Sequence, residues 1–360
     1  MNSGDTPPVV LDCGTLNCKA GLAEISKRVP DFVFRTSEPF MNCDLGEVPV
    51  PIRNGYIENW DSMEVLLEHI FKGKMKIDPT NHSVLLSEPD GNPHKCRKTS
   101  LEILFEGFKA PAVNLSNQGM LSLYSIGQAT GLVIQSGHGL TNVMTARDGH
   151  RPTFGRVPLT YTGFKLTEYT QALIAASLRE QHDIDIKTVD FKLAEKFKEE
   201  HGYLQMSQGD KPPQKMVMLD VGGKQYSIDA GEIGAKIGEA LFDPSILGLS
   251  CFGLTKAIME SIELSDDEDW MDEFYLKKIL LAGGNTMIRG LQERLTAEVD
   301  RVKFLSFMTV NVNAPPYRHF SNWVGGSIIS LLPTFDPCWI TRQEYEENGS
   351  NIFRQKCLPY

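Results

Sequence analysis

The chain has 360 residues, 41% hydrophobic and 23% charged, with a formal net charge of -10. That length and balance fit a soluble globular protein of two or three domains, or one pair of lobes, and exclude a disordered or collagen-like chain. The negative charge repels phosphate backbones at long range and no basic cluster offsets it, so direct nucleic-acid binding is not expected.

The first element along the chain is a strand-like apolar run from Val9 that enters a glycine turn, VVLDCGTLNCKAG over 9–21. Gly14 lets the backbone approach a ligand, Thr15 offers a hydroxyl and an amide, and Lys19 supplies a point charge for phosphate. Asp12 ends the strand as a single carboxylate for magnesium, acting through water. A plain glycine turn between two strands is the alternative for this segment taken alone. Return strands are expected over 21–34. The stretch 35–54, broken by Pro39, Pro49 and Pro51, reads as a loop or a minimal lobe.

A helix is expected where Trp60, Met63, Leu67, Ile70 and Phe71 share one face, with Asp61 near its start. SVLLS over 83–87 predicts a buried strand, and 92–108 a helix closed by Gly107. Gln118 stands just before an apolar helix expected over 120–126.

A second strand and glycine turn, GLVIQSGHGLT over 131–141, repeats the pattern of the first and predicts two similar lobes facing one cleft. Ser136, Gly137 and Gly139 have the same backbone logic, but Gln135 and His138 stand where metal chemistry wants acids. A neutral amide can bond a metal-bound water yet adds no net charge, so metal affinity should fall. His138 reads either as a phosphate donor or as a loop histidine bonded to backbone or solvent.

Helices over 164–178 and 189–203, a Pro-containing loop over 209–215 and strands over 216–228 follow. Lys198 and Glu199 read most simply as a solvated salt-bridge face. The acidic run SDDEDWMDE, 265–273, reads as a solvated helix start. KILLA over 278–282 is a strand, followed by the turn GGNT and a helix over 291–299. That third glycine turn suits close approach by an adenosine moiety, or is simply a tight strand-to-helix turn. An apolar packing segment spans 323–339. Strands alternating with helices predict α/β layers.

No apolar tract is long enough to span a bilayer, and the start of the chain lacks a secretory pattern, so a cytoplasmic or nuclear location is expected. The seven cysteines show neither zinc-site nor disulfide spacing and read as free thiols. Sequence order offers no Ser/His/Asp or Cys/His nucleophile set.

Together these segments resemble actin and the actin-related proteins, in the same order from about Val9 to Cys357. The likeness rests on VVLDCGTLNCKAGLA (9–23), NGYIENWDSME (54–64), LLSEPDGNP (85–93), LSLYSIGQATGLVIQSGHGLT (121–141), LLAGGNTMIRGL (280–291), NWVGGSIISLL (322–332) and WITRQEYEENG (339–349). Sugar kinases and heat-shock chaperone ATPases share the turns but are not expected to share the last two segments.

The resemblance implies an α/β, actin-like two-lobed ATPase fold of duplicated ribonuclease-H-like domains, with ATP or ADP and a divalent ion in the cleft. It implies an outer lobe of 1–125 plus 321–360, with a truncated small subdomain at about 35–54. The inner lobe is 126–320, its outer subdomain about 162–250. Asp12, Gly14, Thr15 and Lys19 then match the first phosphate loop, and Ser136, Gly137 and Gly139 the second. Gln118 matches the glutamine that orders water. Lys198, Glu199, Gly283, Gly284, Thr286 and Met287 match positions bordering the nucleoside. Tyr124, Ile329, Leu332 and Thr334 match the apolar basal groove where actin-fold or actin-binding partners dock.

Four departures set the functional expectation. Leu16 replaces a glycine beside the phosphates, Gln135 and His138 replace two aspartates, and Asn142 replaces a histidine that positions water. The segment 35–54 is much shorter than the family's small outer lobe. Phosphoryl transfer in such a fold depends on positioning and charge neutralisation, so hydrolysis should be depressed and magnesium held poorly. The expectation is a divergent actin-related protein with a degenerate ATP site, serving as a structural or assembly subunit of a cytoskeletal complex in the cytoplasm. An active actin-type ATPase and a nuclear chromatin-remodelling subunit are the alternatives.

Overall fold

The structure, a computed structural model, describes residues 6–41, 50–150, 155–184, 189–207, 209, 211–265, 269–303 and 307–357. The middle of the 35–54 segment and residues 266–268 of the acidic run lie outside the described residues. Contacts divide the chain into two compact units, Met1–Val133 with Ala146–Thr153 and Pro315–Tyr360, and Ile134–Thr145 with Phe154–Ala314.

The first unit is built on a six-stranded sheet. Val9–Cys13, Asn17–Leu22 and Phe32–Arg35 form an antiparallel meander. Val84–Glu88 pairs parallel to Val9–Cys13, Ala112–Asn117 pairs parallel to that, and Ile340–Thr341 closes the far edge. All five residues of Val9–Cys13 and of Val84–Glu88 are buried, as strands in the middle of a covered sheet should be, Asp12, Ser87 and Glu88 among them.

The helix Trp60–Glu68 starts at Asn59, whose side chain accepts from the Ser62 amide, and runs on through a π-helical turn, His69–Met75. Met63, Leu67, Ile70 and Phe71 are buried, as their spacing predicts. The expected helix over 92–108 is His94–Glu102 followed by a second π-helical turn, Ile103–Gly107.

Two helices on this sheet govern the site. Gln118–Tyr124, capped by the Asn117 side chain, packs on Ser321–Ile329. Gly325 lets them meet: a Cβ there would overlap the Leu121 carbonyl, and at Gly326 it would press on Val10 and Leu85. Trp323, fully buried, donates its Nε1–H to the Val10 carbonyl at 3.1 Å. The helix Ser321–Ile329 is thereby pinned to the first strand beside Asp12.

The second unit repeats this plan. Gly131–Ser136, Thr141–Ala146 and Arg156–Leu159 follow one another across a five-stranded sheet that continues through Ile279–Ala282 and Val312–Asn313. Helices Leu254–Glu263 and Leu291–Val302 pack on it, whereas Gly163–His182, Phe191–His201 and Ala230–Glu239 pack on one another, the first and last also on a hairpin of Met216–Val221 and Lys224–Asp229. The acidic run leads into a helix, Asp269–Lys277.

Candidate functional site

The two glycine turns prove to be the same device. In the first, the Gly14 amide donates to the Asn17 carbonyl at 3.0 Å; in the second, the Gly137 amide donates to the Leu140 carbonyl at 2.8 Å. The amides of Thr15, Leu16 and Gly139 have no acceptor among the described residues, so each turn keeps N–H donors for an anion.

At the first turn Asp12 and Lys19 face each other across the antiparallel pair, and their charges meet at 2.8 Å. The Asp12 carboxylate also accepts from Ser87 Oγ at 2.6 Å, Gln118 Nε2 at 3.2 Å and Asn322 Nδ2 at 3.3 Å. Burial alone would raise its pKa, but the Lys19 charge and hydrogen bond, then Ser87 and Asn322, hold the carboxyl below its ordinary value. Burial pulls the Lys19 ammonium down, yet Asp12 overrides it and leaves Lys19 raised.

These shifts define a stability window. Asp12, with its folded pKa depressed, stabilises the fold above its unfolded value of 3.8 and loses that contribution as pH falls through the lower folded value. Lys19, raised, contributes fully below 10.5 and loses its part above that. Urea midpoints should therefore show an acid limb below about pH 4 that is blunted in Asp12→Asn; an identical acid limb in both proteins would contradict the pairing.

At the matching position of the second turn the charges are gone. Ser136 Oγ bonds Thr141 Oγ1 at 2.9 Å, and the Gly137 to Leu140 backbone bond sets Gln135 opposite Asn142 where the first hairpin has Asp12 opposite Lys19. Asn142 is 1% exposed, and neither polar atom of its amide has a partner among the described residues. The near neighbour of His138 is a carboxylate, Glu195, with Nδ1 and Oε1 4.0 Å apart, beyond hydrogen-bond distance. Phe164 and Phe191 pack against its ring edge-on.

The third turn lies against the second. Gly283 has φ +91° and a Cβ on it would strike the Ser136 backbone, so only glycine fits. Asn285 Nδ2 donates to Ser136 Oγ at 3.1 Å and to the Gly137 carbonyl at 2.8 Å, and Thr286 Oγ1 donates to the Gly283 carbonyl at 2.6 Å. Gly284 faces open space, and Met287 is half exposed.

Lys198 corrects the solvated-face expectation. It is buried, and its Nζ donates to the Gly163 carbonyl at 3.1 Å and to Thr167 Oγ1 at 2.9 Å. Glu199, its chain neighbour, is exposed, as that expectation has it. The helix turns one of the two inward, and spacing alone does not say which.

Ser87, Asn322, Glu195 and His319 join these sites without having been singled out from sequence. Ser87 and Asn322 lie inside motifs quoted for the family likeness, yet their role needs the strand register. Burial, with the Lys19 and Arg318 charges, holds the His319 imidazole below its ordinary pKa.

Tyr124, Ile329, Leu332 and Thr334 line one groove of about 260 Å³ in the first unit, with Phe335 on its apolar wall and Lys356 at its edge. Burial pushes the Tyr124 phenol up.

Within the first unit the turn offers Lys19 and amides unpaired among the described residues to an anion; within the second the Gly139 amide is likewise unpaired and Gly283 packs the third turn against Ser136. Among the described residues no three His, Cys, Asp or Glu side chains converge on a metal position, and both Asp12 oxygens already hold donors. Among the same residues no helix is long and apolar enough to cross a membrane. A comparison with protein-family models matches the actin family over residues 3–358.

Proposed function

We propose, from the premise that the chain belongs to the actin family, that it is a divergent actin-related protein, a structural or assembly subunit of a cytoskeletal complex. Members of the family generally bind ATP or ADP with magnesium and join other actin-fold or actin-binding proteins. In this chain the nucleotide serves the stability of the fold more than turnover.

The observation that carries this reading is the engagement of Asp12. Its carboxylate is spent on Lys19, Ser87, Gln118 and Asn322, and the second turn answers with an amide and a histidine 4.0 Å from Glu195. Magnesium wants one or two free carboxylates beside the phosphates. Without them the charge that develops on a leaving phosphate stays uncompensated, and loss of one such stabilising group costs about 100-fold to 1,000-fold in rate.

Under this reading Thr15 and Lys19 bind phosphate in the first unit. Ser136, Gly137 and Gly139 do so in the second, where Lys198, Gly283 and Thr286 border the nucleoside. Gln118, bonded to Asp12 and Ser87, is held as a structural amide and so is a poor orienter of water. The groove that holds Tyr124, Ile329, Leu332 and Thr334 receives the partner.

High-speed pelleting after incubation with ATP, magnesium and salt tests the assembly half of the reading. The pure protein is expected to stay in the supernatant and to be recovered with actin-fold proteins by affinity capture from cytoplasm. Self-assembly into sedimenting polymer would overturn it.

A further inference from the structure

The first glycine turn is closed at its base by two thiols. Cys13 and Cys18 are directly opposed in the antiparallel pair, one step inside the Gly14 amide to Asn17 carbonyl bond. Their sulfurs lie 3.1 Å apart, and both residues are buried, Cys18 at 0% exposure and Cys13 at 7%. The second hairpin puts Ser136 and Thr141 at the matching positions, where two hydroxyls satisfy each other by a hydrogen bond. Sulfhydryls make only weak hydrogen bonds, so the same contact between thiols contributes little as such. It does, however, place two sulfurs within about 1 Å of bonding distance, on strands whose opposed Cα atoms are spaced as a disulfide needs.

We propose that Cys13 and Cys18 form a reversible disulfide that staples the four-residue turn Gly14–Asn17. A hydroperoxide is the oxidant. The Cys13 sulfur, the more exposed of the two, attacks one oxygen of the peroxide and keeps it as a sulfenic acid, while the O–O bond breaks and the other oxygen leaves as water or alcohol after protonation. The Cys18 sulfur then attacks the Cys13 sulfur, forming the S–S bond and expelling water. The two thiols lose two hydrogens and two electrons in all, and the peroxide O–O bond takes them up. A dithiol reductant reverses the exchange. Burial, then Cys13 and the Asp12 charge, pushes the Cys18 thiol well above its ordinary pKa, which suits a resolving thiol that reacts only by proximity.

The bond would act on the residues that reach for phosphate. Gly14 and Thr15 are held from outside the turn by the Thr36 hydroxyl, which donates to the Gly14 carbonyl at 2.6 Å, and by the Gly55 amide, which donates to Thr15 Oγ1 at 2.9 Å. Drawing the strand ends together shifts the turn against these anchors. The disulfide itself stands apart from the nucleotide reading; its effect on ligand binding rests on that reading.

The test uses the folded full-length protein, treated with hydrogen peroxide, alkylated with iodoacetamide under denaturing conditions and digested with trypsin. No Lys or Arg precedes Lys19, so both cysteines fall in one peptide ending there. The expected result is a peptide that carries no alkyl label, weighs two hydrogens less than the reduced form, and gains both labels after dithiol treatment. In Cys18→Ser, Cys13 should instead be trapped as a sulfenic acid by dimedone. Full labelling of both cysteines at peroxide doses that oxidise Cys96 or Cys338 would overturn the proposal, as would a pairing seen only in denatured protein. ATP affinity that is the same in the oxidised and reduced forms would overturn the effect on the turn while leaving the modification in place.

Discussion

Asp12→Ala is expected to remove about 3 kcal/mol of folding stability, because it strands a largely buried ammonium. Lys19 has a side-chain exposure of 17%, and among the described residues its only ion-pair partner is Asp12. Ser87, Gln118 and Asn322 lose an acceptor in the same step. Four donors on one carboxylate make it the joint of the first strand, the helix at Gln118 and the helix at Ser321. The double variant Asp12→Ala with Lys19→Met should regain at least half of the loss, since it removes the orphaned charge along with the partner. Urea unfolding measures both. A carboxylate that merely waits for a metal would show the opposite: little change in the single variant without ligand.

Gly325→Ala should be comparably costly, about 3 kcal/mol at the upper end of overpacking effects, although it adds a single methyl group. The methyl group meets the Leu121 carbonyl, which belongs to a helix backbone and cannot rotate away. The helices Gln118–Tyr124 and Ser321–Ile329 must part, and this moves Asn322 from Asp12 and Ile329 from Tyr124. Loss of stability should therefore accompany loss of partner binding at the groove. Gly107→Ala is the control, because a Cβ there meets nothing within 4 Å. Equal urea midpoints for the two variants would refute this account of the helix contact.

The sequence made the strands at Val9 and Gly131 legible, because an unbroken apolar run ending in a glycine turn has few other structures available to it. The same logic found Val84–Glu88 and Ile279–Ala282. The helix Ala230–Glu239 escaped it: Gly231, Gly234 and Gly238 count against a helix by propensity. In the fold they let that helix lie against the carbonyls of Pro213, His201 and Tyr203. Packing overrode propensity.

For the site, the turn residues were legible and their pairings were not. Asp12 and Lys19 are seven apart, and only the antiparallel register puts them opposite each other. Lys198 sits in a charged run, KLAEKFKEE, and nothing in that run marks it as the buried one. Glu195 comes beside His138 through the packing of a helix on a hairpin, a contact with no local signature.

A shortage of free carboxylate beside the two glycine turns underlies the proposed function, and calorimetric titration with ATP tests it most directly. The titration is run once in chelator and once in excess magnesium, with phosphate release followed in the same samples. The predicted result is an affinity that changes by less than about tenfold between the two, a difference under roughly 1.4 kcal/mol, with no sustained release of phosphate. Tight binding that appears only with magnesium, accompanied by steady hydrolysis that Asp12→Asn abolishes, would contradict it.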